Sequence, residues 1–566
     1  MSLLGGTFRL GMFVGPFVAA ALAGGYFPFR RAVASLRARS LDIHVLMVVA
    51  VLGAFAIGEW AEAGTVVFLF AIAQWLESRT MERARESIRA LMELAPAEAR
   101  VRHGEHEHRT AVDAVAPGAV MVVKPGEKFP LDGVVLAGRS EVNQAPITGE
   151  SLPVDKGPGD EVFAGTINGH GALDVTVTRR VRDTAIARII HLVERAQAER
   201  APSQQFIERF ARWYTPAVIA LAAVTVVAGP LVAGGTLETW IYRALVLLVV
   251  SCPCALVIST PVSIVVALAG AARRGVLVKG GAHLERLARA RTIAFDKTGT
   301  LTLGALVVAE VTPFAGRTTG EVLSLAAAVE RRSEHPIGAA IVAYAAAAGV
   351  ATADARDVRA VPGLGAEGEV GGVLVVAGNA RLFESRGHSN DDARAAVARI
   401  AASGRTAVLV AADGAPVGAI AVADELRDVS RDVVGLLERD HGLRVVMLTG
   451  DVEATARAVA DATGIGEWRA QLLPEDKVRA VKALGAAHGV VAMVGDGVND
   501  APALAASDVG IVMGAIGSDA ALETADVALM ADELQKVPYA LRLSRATLTN
   551  IKVNVAISLG LKAAFL

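Results

Sequence analysis

Thr292-Ile293-Ala294-Phe295-Asp296-Lys297-Thr298-Gly299-Thr300-Leu301-Thr302 decides how the rest of the chain is read. A short run of β-branched and aromatic residues ends in a carboxylate and passes at once into a Thr- and Gly-rich turn. That pattern predicts a buried strand presenting Asp296 at its C-terminal end. In an open α/β sheet, ligands bind beyond that edge. Two later stretches have the same form: 445–448 runs into Thr449-Gly450-Asp451, and 490–494 runs into Gly495-Asp496-Gly497-Val498-Asn499-Asp500. Helical text at 452–463 and 477–487 alternates with them, which predicts βαβ units and a parallel sheet.

These strand ends carry complementary chemistry. Phosphoryl transfer is mostly positioning and charge neutralisation. The Thr449 hydroxyl and nearby backbone N–H groups suit phosphoryl oxygens, and Lys477, after Pro474-Glu475-Asp476, offers a point charge. Asp496 and Asp500 offer the oxygen ligands that Mg²⁺ prefers. Asp-Lys-Thr-Gly-Thr-Leu-Thr at 296–302 resembles the signature of the P-type ATPases. The resemblance implies a haloacid-dehalogenase-like phosphorylation domain with Asp296 as the phosphorylated residue. Lys297, Thr298, Thr449, Gly450, Asp451 and Lys477 complete the implied catalytic group. It also implies Mg²⁺ on Asp296, the Thr298 backbone and Asp496, with Asp500 and Asn499 supporting the site.

An Ala-, Gly- and Val-rich insert between 302 and 424 predicts a separate subdomain. Alone, His335 reads as a helix cap or a surface residue. In Ser333-Glu334-His335-Pro336 it resembles a nucleotide-domain motif of the heavy-metal group, and Glu330, Gly363, Gly365 and Asn379 match other nucleotide positions of that group, so ATP is expected there. The two glycines let backbone approach a nucleotide closely. Upstream, β-rich text at 118–123 and 133–136, with turns at Pro125-Gly126 and Asp132-Gly133, predicts a small β domain. Its Thr148-Gly149-Glu150-Ser151 resembles the actuator loop of the same family. Glu150 is then the carboxylate that activates water against the acyl phosphate.

The chain has 566 residues, too many for one compact domain, and 53% are hydrophobic, above the soluble norm. With 56 basic against 58 acidic residues, nothing suggests a nucleic-acid partner. Apolar stretches at 10–22, 43–58, 63–75, 214–237, 244–272 and from 553 onward predict membrane helices, of which the two central ones are long enough to span alone. Basic flanks at Arg30, Arg31, Arg37 and Arg39, and again at Arg79, Arg83, Arg85 and Arg89, place those ends in the cytoplasm. Membrane lipid and metal ions are the expected partners of a monomer, with a bacterial plasma membrane as the location.

The two cysteines are one residue apart, which argues against a disulfide framework. Ser251-Cys252-Pro253-Cys254 lies inside an apolar stretch, where ionisable groups are usually functional. Pro253 removes a helical hydrogen bond and kinks or unwinds the helix, so both sulfurs can turn to one site. Thiolates favour soft or borderline ions. Lys562, in Gly560-Leu561-Lys562, resembles a lysine of the Zn/Cd/Pb subgroup, and no Tyr-Asn pair of the copper subgroup is found in its helix. Read without the family, it is a snorkelling interfacial lysine. The implied activity is ATP-driven export of Zn²⁺, Cd²⁺ or Pb²⁺, with Cu⁺ export as the alternative. A membrane-anchored phosphatase or a non-transporting metal sensor would be the reading from another class. Glu62 matches a family glutamate of metal exit, or it simply faces water beside Glu59. Gly24-Gly25 resembles a kink at the platform where metal comes in. His103, His106 and His108, with Glu105 and Glu107, read as a solvated hairpin tip.

The expected fold class is a multidomain membrane protein: a transmembrane α-helical bundle, a β-rich actuator domain, an α/β phosphorylation domain and an α+β nucleotide-binding domain. The expected domains are transmembrane helices at 1–82, actuator at 83–199, transmembrane helices at 200–278, phosphorylation at 279–302 with 424–540, nucleotide binding at 303–423, and an incomplete transmembrane segment at 541–566. Compared with the resembled family, both ends look cut, with the first helix, a Cys-x-x-Cys domain and a final aspartate ligand not found.

Overall fold

A computed structural model describes residues 24–38, 43–92, 95–104, 106–148, 153–198, 201–251, 254–314, 316–333, 335–361, 363–497, 500–515 and 519–565. The chain divides into two compact units, Met1–Ala288 with Ala540–Leu566, and Arg289–Tyr539. The apolar stretch expected at 10–22 lies outside the described residues.

In the first unit the apolar stretches become helices longer than hydropathy alone marks. The 43–58 stretch forms Ile43–Ala56, whereas the 63–75 stretch belongs to Trp60–Met92, so the boundary expected at 83 falls in mid-helix. The stretch at 214–237 is the later part of Pro202–Ala233, the one described helix long and apolar enough by itself to cross a membrane. The single stretch at 244–272 is corrected to two helices, Leu237–Val250 and Cys254–Ala272. Thr236 caps the first by accepting a hydrogen bond from the Thr239 N–H at 3.3 Å. Glu238 and Arg243 lower the hydropathy of that helix's first turns and hid its start. Pro253, between the two helices, lies outside the described residues. The last helix is Lys536–Phe565, with Val537, Leu541, Leu548 and Ile551 buried along it.

Between these helices sits a β domain. Its six-stranded antiparallel sheet runs His106–Ala111, Glu98–His103, Val120–Val123, Leu173–Val177, Gly133–Ala137, Glu161–Val162, beside a three-stranded sheet centred on Ser140–Asn143. Alternating inward residues, among them Met121, Phe129, Leu131, Leu173 and Val175, close its core. His103 pairs with His106 at the end of the first hairpin, as a solvated tip requires. Glu105 lies outside the described residues.

The second unit holds six parallel strands in the order Val527–Leu529, Val509–Val512, Val491–Gly495, Thr292–Asp296, Arg444–Leu448, Glu467–Arg469. Their near-continuous apolar text fits burial on both faces. Inserted between Asp296 and Arg444 is an antiparallel sheet ordered Thr302–Pro313, Ala415–Leu426, Thr406–Ala412, Val373–Gly378, Gly365–Val370, Ala355–Val361. Period-two alternation gives it two cores. Val375, Val408, Val410, Ile420 and Val422 pack under Thr319–Glu330 and Pro336–Ala347. Val376, Leu409, Ala419 and Ala421 pack under Ala380–Ser385 and Asp391–Ala402.

Candidate active site and metal pathway

Asp296 ends the central strand of the parallel sheet, and its register partner is Leu448, so Thr449 begins where Asp296 ends. On the other side Phe295 pairs with Val494, just before Gly495-Asp496. Three adjacent strands thus deliver Asp296, Thr449 and Asp496 to one edge. The chain then turns through 297–301 with Gly299 in the left-handed region at φ 69°, where a side chain would approach the Asp496 carboxylate to 3.4 Å.

Lys477, in the first turn of Pro474–His488, donates to Oδ1 of Asp296 and to Oδ1 of Asp500, each at 2.6 Å. All three groups are buried. Burial first, then the Asp500 charge, push the Asp296 carboxyl up to about 7 against the pull of Lys477. Burial works against the Lys477 ammonium too, but the two carboxylates outweigh it and hold its pKa above the ordinary lysine value. Oδ2 of Asp500 is buried without a hydrogen-bond partner, an orphaned carboxylate oxygen of the kind a hard cation takes as a ligand.

Lys297 points elsewhere: its Nζ lies 2.6 Å from Asp451 and 3.6 Å from Asp424. Asp424 also accepts from the Thr302 hydroxyl at 2.6 Å. Thr449 Oγ1 accepts from the Asp451 N–H at 3.1 Å, holding the Thr449-Gly450-Asp451 turn. Arg427 donates to the carbonyls of Thr300 at 2.9 Å, Gly299 at 3.3 Å and Asp532 at 2.9 Å, and to the Asp532 carboxylate at 2.6 Å. Asp424 and Arg427 escaped the sequence reading. The signal for them was weak, a short acidic and basic run at the end of the insert. Asn499 lies outside the described residues.

In the inserted domain, Glu330, His335, Gly363, Gly365 and Asn379 all line one cavity of about 300 Å³. Glu334 lies outside the described residues. His335 is a helix cap, its Nδ1 accepting from the Ile337 N–H at 3.2 Å, and it also lines this cavity. Asn379 donates to the Gly363 carbonyl at 3.1 Å while capping Ala380–Ser385. Burial raises the Glu330 carboxyl above the ordinary range. Gly338 and Gly378 are further lining residues that the sequence did not single out. A Cβ at Gly338 would stand 2.4 Å from Glu330 Oε2.

In the first unit, Gly149, Glu150, Cys252 and Pro253 lie outside the described residues. Thr148, next to that loop, is buried, and its carbonyl lies against Gly275, the turn that leaves Cys254–Ala272. The Lys562 Nζ donates to the Ser251 carbonyl at 3.4 Å and sits 5.8 Å from the Tyr214 ring centroid. That places the ammonium at the carbonyl of the residue before Cys252. Glu62 accepts from the Tyr242 hydroxyl at 3.1 Å. Gly24 packs on Val67, where a Cβ would meet Cγ1 at 3.1 Å.

A strand-end aspartate, a buried lysine and a facing carboxylate pair on a parallel sheet define a haloacid-dehalogenase-like phosphoryl-transfer centre. The comparisons with known proteins agree. The haloacid dehalogenase-like hydrolase family matches residues 290–508, and the P-type ATPase actuator domain matches 93–194. A probable cadmium-transporting ATPase of Staphylococcus aureus is 48% identical over 551 residues, covering 96% of this chain and 68% of its own length. The zinc/cadmium/lead-transporting P-type ATPase of Escherichia coli (strain K12) is 43% identical over 552 residues, covering 97% and 74%. A crystal structure of a zinc-transporting PIB-type ATPase in the E2.Pi state matches with TM-score 0.65 and 41% identity, covering 99% of this chain and 91% of the other. The chain belongs to the heavy-metal-transporting P-type ATPases, in the group that includes those zinc, cadmium and lead pumps. It is therefore an ATP-hydrolysing membrane translocase.

Proposed function

We propose that this protein exports Zn²⁺, Cd²⁺ or Pb²⁺ by a cycle of phosphorylation and hydrolysis at Asp296. The observation that carries the metal assignment is the Lys562 ammonium beside the Ser251 carbonyl, directly before Cys252-Pro253-Cys254. Two thiolates bind a borderline dication, and a cation adjoining them becomes their partner once the ion has left. The kinship with cadmium- and zinc-named pumps supports the same choice.

In the phosphorylation half, the Asp296 carboxylate attacks the γ-phosphorus of ATP held in the cavity at Glu330, His335 and Asn379, forming the acyl phosphate as the bond from the γ-phosphorus to the bridging oxygen breaks and ADP leaves. Lys477 neutralises charge on the transferred group, and Thr449 with the backbone of Gly450 orients its oxygens. Lys297 and Asp451 hold the two loops in register. Mg²⁺ would be held by Asp296, the Thr298 carbonyl and Asp496, with Asp500 in support, and supplies neutralisation of the phosphate oxygens when bound. Glu150 then positions water against the acyl phosphate. Cys252, Cys254 and Lys562 form the transport site, and Glu62 receives the ion on its way out. The setting is a bacterial plasma membrane, with lipid around a monomer and the catalytic domains in the cytoplasm.

The test is ATPase activity across Zn²⁺, Cd²⁺, Pb²⁺, Co²⁺ and Cu⁺. Stimulation by Zn²⁺, Cd²⁺ and Pb²⁺ that is lost in Lys562→Met is expected. Stimulation by Cu⁺ alone would overturn the assignment.

A further inference from the structure

The helices Ile43–Ala56, Trp60–Met92 and Leu237–Val250 enclose a cavity of about 100 Å³. Tyr242 lines one end and Val249 and Val250 line the other, the last of them two residues before Cys252. At a helical rise of about 1.5 Å per residue, those ends are roughly 12 Å apart. The volume admits several waters, or an ion that keeps part of its hydration. The walls are apolar except at Glu59, Glu62 and Tyr242. An ion moving outward from the cysteines therefore meets no other side-chain ligand in this cavity.

We propose that Tyr242 is a positioning residue for metal release, its phenol holding Glu62 across the outer mouth of this cavity. The proposal rests on the exit role assigned to Glu62 above. The Tyr242 hydroxyl donates to Oε1 of Glu62 at 3.1 Å, from a helix 180 positions along the chain. A hydrogen bond from a neutral donor to a carboxylate fixes its orientation and draws off part of its charge. One acceptor site of Oε1 is thereby engaged, and the remaining carboxylate lone pairs are left for the ion. A carboxylate is already a poorer ligand than thiolate for a borderline dication. With its charge partly spent on the phenol it becomes a transient one, able to take the ion when the thiolates release it and unable to retain it. The chain ties this geometry to transport, because Leu237–Val250 runs from Tyr242 directly into Ser251 and Cys252. Any change at the cysteines that shifts this helix moves the phenol relative to Glu62. A purely structural hydrogen bond between two helices would affect stability and leave release untouched.

The experiment compares wild type, Tyr242→Phe, Glu62→Gln and the double variant, reconstituted in lipid vesicles with Zn²⁺ as the probe. Each single variant should lower turnover on the order of tenfold, the scale of one lost hydrogen bond to a charged group. The Zn²⁺ concentration for half-maximal phosphorylation by ATP should stay unchanged, and phosphoenzyme should accumulate because release is slowed. Zn²⁺-dependent phosphoenzyme formation in the same preparations reports that each variant is folded. The double variant should be no slower than the slower single one, since both act through one contact. Wild-type turnover in Tyr242→Phe beside a slow Glu62→Gln would overturn the role of Tyr242 alone. A double variant as slow as the product of the two single effects would do the same, as would a shifted half-maximal Zn²⁺ concentration with unchanged turnover. Wild-type turnover in Glu62→Gln would overturn the exit reading itself.

Discussion

Asp296 sits in a conflict that its chemistry exploits. Burial and the neighbouring Asp500 hold its carboxyl near 7, while Lys477 at 2.6 Å favours the charged form. A raised carboxyl pKa means that the folded protein keeps a proton which the unfolded chain, titrating at about 4, has already lost. Between those values the native state binds more protons, so stability falls as pH rises through the window, and the full penalty is present above it. In chelator, the melting temperature of the second unit should fall on the order of 5 °C from pH 5 to pH 7.5. Asp296→Asn should flatten that slope and also abolish the phosphoenzyme. A slope that persists in Asp296→Asn would show that another group carries the pH dependence. Mg²⁺ should flatten the wild-type slope too, because it competes with the proton for the same oxygens.

At this scale the sequence was informative where residues are contiguous. Asp296, Thr449 and Asp496 were placed at strand ends because each follows a β-branched run, and the register of the three strands puts them side by side. The partner of Lys297 was not legible. Asp424 lies near the end of the inserted sheet, more than a hundred positions along the chain, so only the folded chain shows the 3.6 Å approach. The same holds for Arg427 on the carbonyls of Gly299 and Thr300, and for Tyr242 on Glu62. Side chains that act through long-range contacts leave no local period or spacing to read.

At the scale of elements, two glycines show what helix ends and turns contribute. Gly338 lies in the first turn of Pro336–Ala347, and only a missing side chain leaves room for Glu330 beneath it. Gly338→Ala should displace the flexible Glu330 carboxylate within the cavity rather than unfold the helix, since alanine is the better helix former. ATP affinity should fall about tenfold, or roughly 1.4 kcal/mol, with the melting temperature nearly unchanged; calorimetric titration of ATP would show either result. Gly275 is different, because it combines φ 69° with a Cβ position 2.0 Å from the Thr148 carbonyl. Backbone, not a flexible tip, must move. Gly275→Ala should therefore loosen the seat of the segment leading to Glu150 and speed phosphoenzyme decay several-fold, as followed by acid quench. Unchanged decay would mean that the contact plays no part in timing hydrolysis. Helix lengths were the least legible elements. Apolar counting marks the stretch that prefers lipid, whereas Trp60–Met92 and Lys536–Phe565 continue as helix where their charged and polar residues leave that preference behind.

On the scale of the whole molecule, the division into two units separates the residues around Asp296 from those proposed to carry the metal, with Glu150, proposed for hydrolysis, on the metal side of the division. Asp296, Thr449, Lys477, Asp496 and Asp500 all belong to Arg289–Tyr539, and every hydrogen bond described among them closes within that unit. Cys252, Cys254, Lys562 and Glu62 all belong to the other. The residues around Asp296 are thus brought together without the cysteines, and the proposed metal site would act by changing which reactions they perform. Removing the thiols should consequently uncouple one direction and spare the other. In Cys252→Ala/Cys254→Ala, phosphorylation by ATP should lose its metal dependence and fall to background, because no ion signals that the transport site is filled. Phosphorylation by inorganic phosphate in the reverse direction, which needs Asp296, its neighbours, Mg²⁺ and the Glu150 of the hydrolytic step but no thiol, should persist within about twofold of wild type, a difference below 0.5 kcal/mol. Radiolabelled phosphate incorporation, measured with and without chelator for Zn²⁺, separates the two. Loss of the reverse reaction in the cysteine variant would mean that the thiols hold the phosphoryl site together as well as gate it. The two units would then be one cooperative machine, and not a motor with a replaceable switch.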